Sequence, residues 1–169
     1  MCGTKIVQEE AMSVDFSVVG IFYKTIVDLT QVKGNTVGEI MQYLYTSDPN
    51  FFYTSLVFDG NQIVNSLAEY HPAPFKGRTG ITYPPGMYRL SQTFTEPTPN
   101  PYSVWQYYLF DQNGTRKHNP ADLSYTKAVV QDGWSIVWRL LTICNAPTGL
   151  SKRMRKLVPD SMMSAPGVS

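Results

Sequence analysis

The residues that most restrict what this chain can fold into are 127–143, KAVVQDGWSIVWRLLTI. Two apolar runs, Ala128-Val129-Val130 and residues 136–143, stand on either side of Gln131-Asp132-Gly133. Asp-Gly between β-forming residues is a strong turn signal, because glycine accepts the left-handed backbone that a tight turn demands. The stretch therefore predicts a short strand, a tight turn and a long buried strand. In the long run Trp134, Ile136 and Trp138 fall on one face, with Ser135, Val137 and Arg139 on the other. A strand points successive side chains to opposite sides, so one face carries the large rings into a core. This is the expected central strand, and the rest of the chain has to supply its neighbours.

Upstream, Val14-Asp15-Phe16-Ser17-Val18 alternates apolar and polar residues, and the phase slips at Val18-Val19-Gly20. A second alternation sets Thr25, Val27 and Leu29 against Lys24, Ile26 and Asp28. A turn or bulge within residues 20–24 would make the two an antiparallel pair. Thr36, with Glu39 three residues on, forms a capping box ahead of Ile40, Met41, Tyr43 and Leu44 at helical spacing. That predicts a short helix over residues 37–45, stopped by Ser47-Asp48-Pro49-Asn50. Residues 51–58 are strongly β-forming, Asp59-Gly60-Asn61 is a hairpin turn, and Gln62-Ile63-Val64 starts the return strand.

The texture then changes. Residues 67–101 carry prolines at 72, 74, 84, 85, 97, 99 and 101 and glycines at 77, 80 and 86, which predicts a looping insertion with one strand, 87–94. Residues 103–110 form an aromatic strand, Asn113-Gly114 the tip of its hairpin, and 115–118 the return. The resulting organisation is an N-terminal segment, 1–13, one α+β domain over 14–145, and an extended C-terminal arm, 146–169. That arm has lost all periodicity and holds Lys152, Arg153, Met154, Arg155 and Lys156 in sequence.

Composition narrows the function classes. Apolar residues make up 43% and charged ones only 16%, with eleven Tyr, eight Phe and three Trp, so a β-rich globular domain with sparse surface charge is expected. A formal net charge of +1 gives no overall attraction to nucleic acid or to an anionic membrane, and neither is expected as a partner. Cys2 and Cys144 alone can build neither a disulfide framework nor a four-ligand zinc site, which fits a reducing compartment. No apolar run reaches the roughly 20 residues of a membrane helix, and the N-terminus lacks an apolar core of signal-peptide length. A cytoplasmic location, or a place within a virion, is the expectation.

Candidates for chemistry are few. His71, in Tyr70-His71-Pro72, and His118, in Lys117-His118-Asn119, read as exposed loop histidines with no partner at triad or metal-site spacing. Asn113-Gly114-Thr115 matches a glycosylation acceptor but is better read as the hairpin turn. Lys33-Gly34-Asn35-Thr36 and Lys76-Gly77-Arg78-Thr79-Gly80 lack the full spacing of a phosphate loop. No catalytic residue, metal or cofactor is expected, and the chain does not read as an enzyme.

The order of strand, strand, capped helix, strands and a last strand introduced by Gln131-Asp132-Gly133 resembles the β-grasp, or ubiquitin-like, superfold. Residues 24–29 and 32–40 look like its second strand and helix start. The closer likeness is to transcobalamin-type β-grasp domains: Trp105-Gln106-Tyr107-Tyr108-Leu109 ahead of an Asn-Gly turn, Ala128-Val129-Val130-Gln131-Asp132-Gly133, and then Ile136-Val137-Trp138 are similar to their phrases, as is Tyr53-Thr54-Ser55-Leu56 before Asp59-Gly60-Asn61. The resemblance spans about residues 14–143 and implies a β-grasp-like mixed sheet with one short helix. It also implies a small-ligand-binding domain as one function, with Tyr107, Trp134 or Trp138 at the ligand. Ferredoxin and sulfur-carrier versions of the superfold do not fit, because the first needs a cysteine cluster and the second a terminal Gly-Gly.

Two features point instead to protein partners. In Phe51-Phe52-Tyr53 and residues 102–110 consecutive rings must point to both faces of a strand, so Phe51, Tyr53, Tyr102, Trp105 and Tyr107 are candidates for a partner-binding face. In the arm, Leu150, Lys152, Arg153, Met154, Arg155, Lys156 and Leu157 could seat on a neighbouring chain. The expectation is a non-catalytic interaction or structural module, a subunit or accessory chain of a larger assembly such as a virus-like particle or filament. Its partners would be proteins, itself included, with the small ligand as the alternative.

Overall fold

A computed structural model describes residues 12–58, 60–92, 102–117 and 123–143. The arm, 146–169, and all but the last residues of the N-terminal segment lie outside these, as do His118 and Asp59. Residues Ser13–Val19 (β1) and Lys24–Asp28 (β2) form the antiparallel pair expected from their alternation. Val14, Phe16 and Val18 are buried while Asp15 and Val19 are exposed, and Val27 is buried where Ile26 is not. A 3-10 turn, Leu29–Gln31, leads to α1, Val37–Ser47.

The helix begins where the capping box places it. The Glu39 N–H donates to Thr36 Oγ1 at 3.2 Å and the Thr36 N–H donates back to Glu39 Oε2 at 2.9 Å, so two otherwise orphaned donors are satisfied. Val37, Ile40, Met41 and Leu44 are the buried stripe. Gly38 is fixed by close approach: a Cβ there would lie 3.1 Å from the Thr126 backbone, whose neighbour Tyr125 accepts the Gly38 N–H at 3.0 Å.

Residues Ser135–Ile143 form β9 and Tyr102–Phe110 form β8. The sheet order is β2-β1-β9-β8, with β9 parallel to β1 and antiparallel to β8. The stretch 135–143 is thus an interior strand, as its pattern predicts. Its neighbour is not the one expected, however. Ala128-Val129-Val130 forms no hairpin with it: the Val37 N–H donates to Ala128 O at 2.9 Å, the Val130 N–H to Asn35 O at 2.8 Å, and Val129 bridges Thr36. Gly133, at φ 73°, does turn the chain, but its N–H donates to Ser13 O at 2.8 Å. That commits the near side of β9 to β1, and residues 128–130 clamp the helix start.

A second sheet, in the order β3-β4-β7, comprises Phe51–Phe58 (β3), Asn61–His71 (β4) and Gly86–Ser91 (β7). The short hairpin of Phe75–Lys76 (β5) and Thr82–Tyr83 (β6) lies between β4 and β7 in sequence. Residues 67–71, expected as loop, instead extend β4. The pairing shifts between Thr54 and Ser55, leaving Asn65 unpaired. One extra residue there turns both Val64 and Leu67 inward, so a period-2 pattern read straight through residues 62–71 breaks although the strand does not. The two sheets and the helix share one core, where Phe51 sets its ring edge against Phe16 at 5.6 Å and beside Tyr23 at 4.7 Å. The fold is α+β, with mixed sheets and, among the described residues, one α-helix. No helix among them is long and apolar enough to cross a membrane.

Candidate interaction faces

The aromatic residues expected to meet a partner are largely claimed by the core. Phe51, Trp105 and Tyr107 are 0%, 7% and 4% exposed, which corrects the expectation that they emerge on an outer face. The register explains it: Trp105, Tyr107 and Leu109 pair with Leu140, Trp138 and Ile136 on the inward side, with Leu123 and Tyr125 packed against Tyr107 and Trp138. Tyr107 donates its hydroxyl to Leu123 O at 2.5 Å, and the Trp138 ring is flanked by Tyr107 at 5.5 Å and Tyr125 at 5.7 Å. Tyr107 and Trp138, two of the three rings named for a flat ligand, therefore fill space against each other. Trp134 is half-buried, with the Lys117 ammonium 5.9 Å from its ring. Tyr53 is half-buried, and its hydroxyl donates to Gln42 Oε1 at 2.9 Å. Tyr102 pairs with Ile143 at the start of β8. Leu150, Lys152, Arg153, Met154, Arg155, Lys156 and Leu157 lie outside the described residues.

What the structure leaves open is the other side of the four-stranded sheet. On β1 and β2 the outward positions are Asp15, Ser17 and Val19 beside Lys24, Ile26 and Asp28. Ile26 is 70% and Val19 44% exposed. Asp15 pairs directly with Ile26, and Asp28 lies two residues along the same face. The Asp28 carboxyl is held below its ordinary range by hydrogen bonds from the Thr30 hydroxyl and N–H, so it stays charged. Towards β8 the face becomes cationic, with the Arg116 and Arg139 guanidinium groups 4.8 and 5.7 Å from the Tyr108 ring. An exposed β-branched side chain with Asp15 across from it, Asp28 on one side along its strand and Lys24 on the other offers a ligand that is both apolar and basic two carboxylates on the side away from Lys24.

A second cluster was missed by sequence reasoning. His71, expected to be an exposed loop histidine, ends β4 with its side chain 17% exposed, its ring stacked on Phe75 at 3.6 Å and Nε2 2.9 Å from Glu69 Oε2. Phe75 also stacks on Tyr83 at 5.3 Å and meets Tyr88 edge-on at 5.3 Å. This stack anchors the β5–β6 hairpin to the second sheet. Nearby the Tyr23 hydroxyl donates to Asp48 Oδ2 at 2.6 Å, and burial together with that carboxylate pushes the phenol far above its ordinary value. Burial also pushes the Glu69 carboxyl up, with the His71 imidazole pulling the other way. The i, i+2 spacing of Glu69 and His71 in an alternating strand was the available signal, hidden because Pro72 made the segment look like loop. Among the described residues, no group of three or more His, Cys, Asp or Glu is placed to hold a metal ion.

No family model matches the chain, and no curated protein matches it significantly.

Proposed function

We propose that this chain is a non-catalytic interaction module of β-grasp-like organisation that serves as a repeated subunit of a larger assembly, such as a virus-like particle or filament. The observation that carries the reading is the outer face of β1 and β2, where Ile26 at 70% exposure stands between Asp15 and Asp28. The sequence 150–157, Leu-Ser-Lys-Arg-Met-Arg-Lys-Leu, has the complementary chemistry: apolar side chains to lie on Ile26 and Val19, and cations for the two carboxylates. In this reading the arm of one copy lands on the sheet of the next. Support also comes from the mixed sheet, with its parallel and antiparallel pairs, and the capped α-helix, as the β-grasp resemblance implies.

The test is the solution mass of the full chain beside that of a chain ending at Asn145. The shortened chain should unfold at nearly the same denaturant concentration yet run at a lower mass, and Ile26→Lys should reproduce the lower mass in the full chain. An unchanged mass in both would overturn the reading. A salt series separates the landing site from nucleic-acid binding, because four phosphate contacts would weaken steeply with salt whereas seated apolar side chains persist.

A further inference from the structure

Unpaired strand edges are hazards that proteins guard with charge, proline, shortness or cover, and three of the four edges of the two larger sheets are guarded. β2 is five residues long with Lys24 and Asp28 at its ends. β7 carries Arg89 and follows Pro84-Pro85. β8 has no charge, but its own chain covers it: the Trp105 N–H donates to Gln92 Oε1 at 3.3 Å, and Leu109 O accepts from the Lys117 N–H at 2.9 Å.

The fourth edge is β3. Phe51–Phe58, FFYTSLVF, holds neither charge nor proline over eight residues. Its register fixes which backbone groups are turned outward. The Tyr70 N–H donates to Asn50 O, so Phe51 and Glu69 are a pair that does not exchange hydrogen bonds, and the alternation continues along the strand. The N–H and C=O of Tyr53, Ser55 and Val57 therefore point to the free side, and none of them has a backbone partner among the described residues. Val57 is 73% exposed, Ser55 is exposed, and the Tyr45 ring, 48% exposed, stands edge-on to Tyr53 at 5.5 Å.

From this we infer that β3 is a self-pairing edge: two copies join antiparallel about a twofold axis at Ser55, merging their three-stranded sheets into one. The occupant is a second copy because the edge is complementary to itself. With Ser55 opposite Ser55 of the partner copy, Tyr53 falls opposite Val57, and all three outward residues face outward residues, so each pair exchanges both backbone hydrogen bonds. The pairing sets a ring against a β-branched side chain on each side of the axis, a favourable cross-strand contact, and puts two small hydroxyl side chains on the axis itself. It brings no like charges together, and a twofold contact closes at two copies. This interface does not use the arm or the Ile26 face.

Backbone amide hydrogen exchange of the full chain at low and high protein concentration tests it. The amides of 53, 55 and 57 should exchange about tenfold more slowly at high concentration, and Ile26→Lys should keep that slowing. Val57→Lys, at a side chain already in solvent, should remove it, and Ser55→Lys, which sets two ammonium groups at the axis, should remove it too. Circular dichroism checks that each variant keeps its fold. Concentration-independent exchange in the parent chain would overturn the inference, as would slowing that survives both lysines in β3. Loss of slowing in Ile26→Lys would also overturn it, because the protection would then belong to the sheet-face contact. Slowing retained in Ile26→Lys with no change of mass would count against the arm reading alone.

Discussion

Trp138 shows what a single residue contributes here. It is 2% exposed, midway along an interior strand, and packed between Tyr107 and Tyr125. Trp138→Ala should cost about 3–5 kcal/mol, since removing a large ring leaves a cavity that a sheet on both sides cannot close. The indole Nε1 is buried with no hydrogen-bond partner among the described residues, and a buried donor left unpaired is itself a cost. Trp138→Phe should therefore lose much less than the alanine variant. Urea unfolding of the two variants checks both, and a loss below about 1 kcal/mol for Trp138→Ala would make the strand peripheral.

At the scale of elements, the helix start gives the cleanest case. Thr36→Ala removes the hydroxyl that accepts the Glu39 N–H and should cost about 1 kcal/mol. Hydrogen bonds from Thr36 hold the Glu39 carboxyl below its ordinary range. A lowered folded value stabilises above the ordinary carboxylate range and is lost as pH falls through the lowered one, so the difference between parent and Thr36→Ala should shrink in acid. A difference that stays constant down to low pH would mean that the Thr36 hydroxyl does not hold the Glu39 carboxylate, the Thr36 N–H bond being common to both chains.

This element was legible in the sequence because capping is local chemistry: four residues carry it, and no distant contact competes. The β1–β2 pair and the interior position of β9 were legible for the same reason, their periodicity being strict. The bulge at Asn65 was not, since a phase slip in β4 is indistinguishable from a strand end until Thr54 and Ser55 are known to lie opposite. Nor was the burial of Phe51, Trp105 and Tyr107 legible, because a ring's exposure depends on what covers it: Phe16 and Tyr23 cover Phe51, and the Tyr107 hydroxyl reaches Leu123 across the chain. The Ile26 face could be read as outward from its alternation, but not as open.

At the scale of the whole molecule, Glu69 links global stability to pH. It sits on the middle strand of the second sheet, opposite Phe51 on β3 and Tyr88 on β7, with His71 at 2.9 Å on its own strand. Asp48 at the helix end and Tyr23 ahead of β2 complete its surroundings. Burial raises its carboxyl above the ordinary 4.5, the Asp48 charge adds to that, and His71 offsets part of it. A raised folded value means that the native state holds the proton more tightly than the unfolded chain. Between the ordinary value and the raised one the native state carries more protons, so stability falls as pH rises. The contribution is complete below the ordinary value and gone above the raised one. Asp28, Glu39 and Asp111, whose carboxyls are all held low by hydrogen bonds, run in the opposite sense. Glu69→Gln keeps the shape and removes the titration, which separates the two. The unfolding free energy of the parent minus that of Glu69→Gln, from urea melts across the mildly acidic range, should decrease as pH rises. A difference that grew with pH would mean that the His71 charge outweighs burial at this site, and that Glu69 is an ion-pair partner first and a buried acid second.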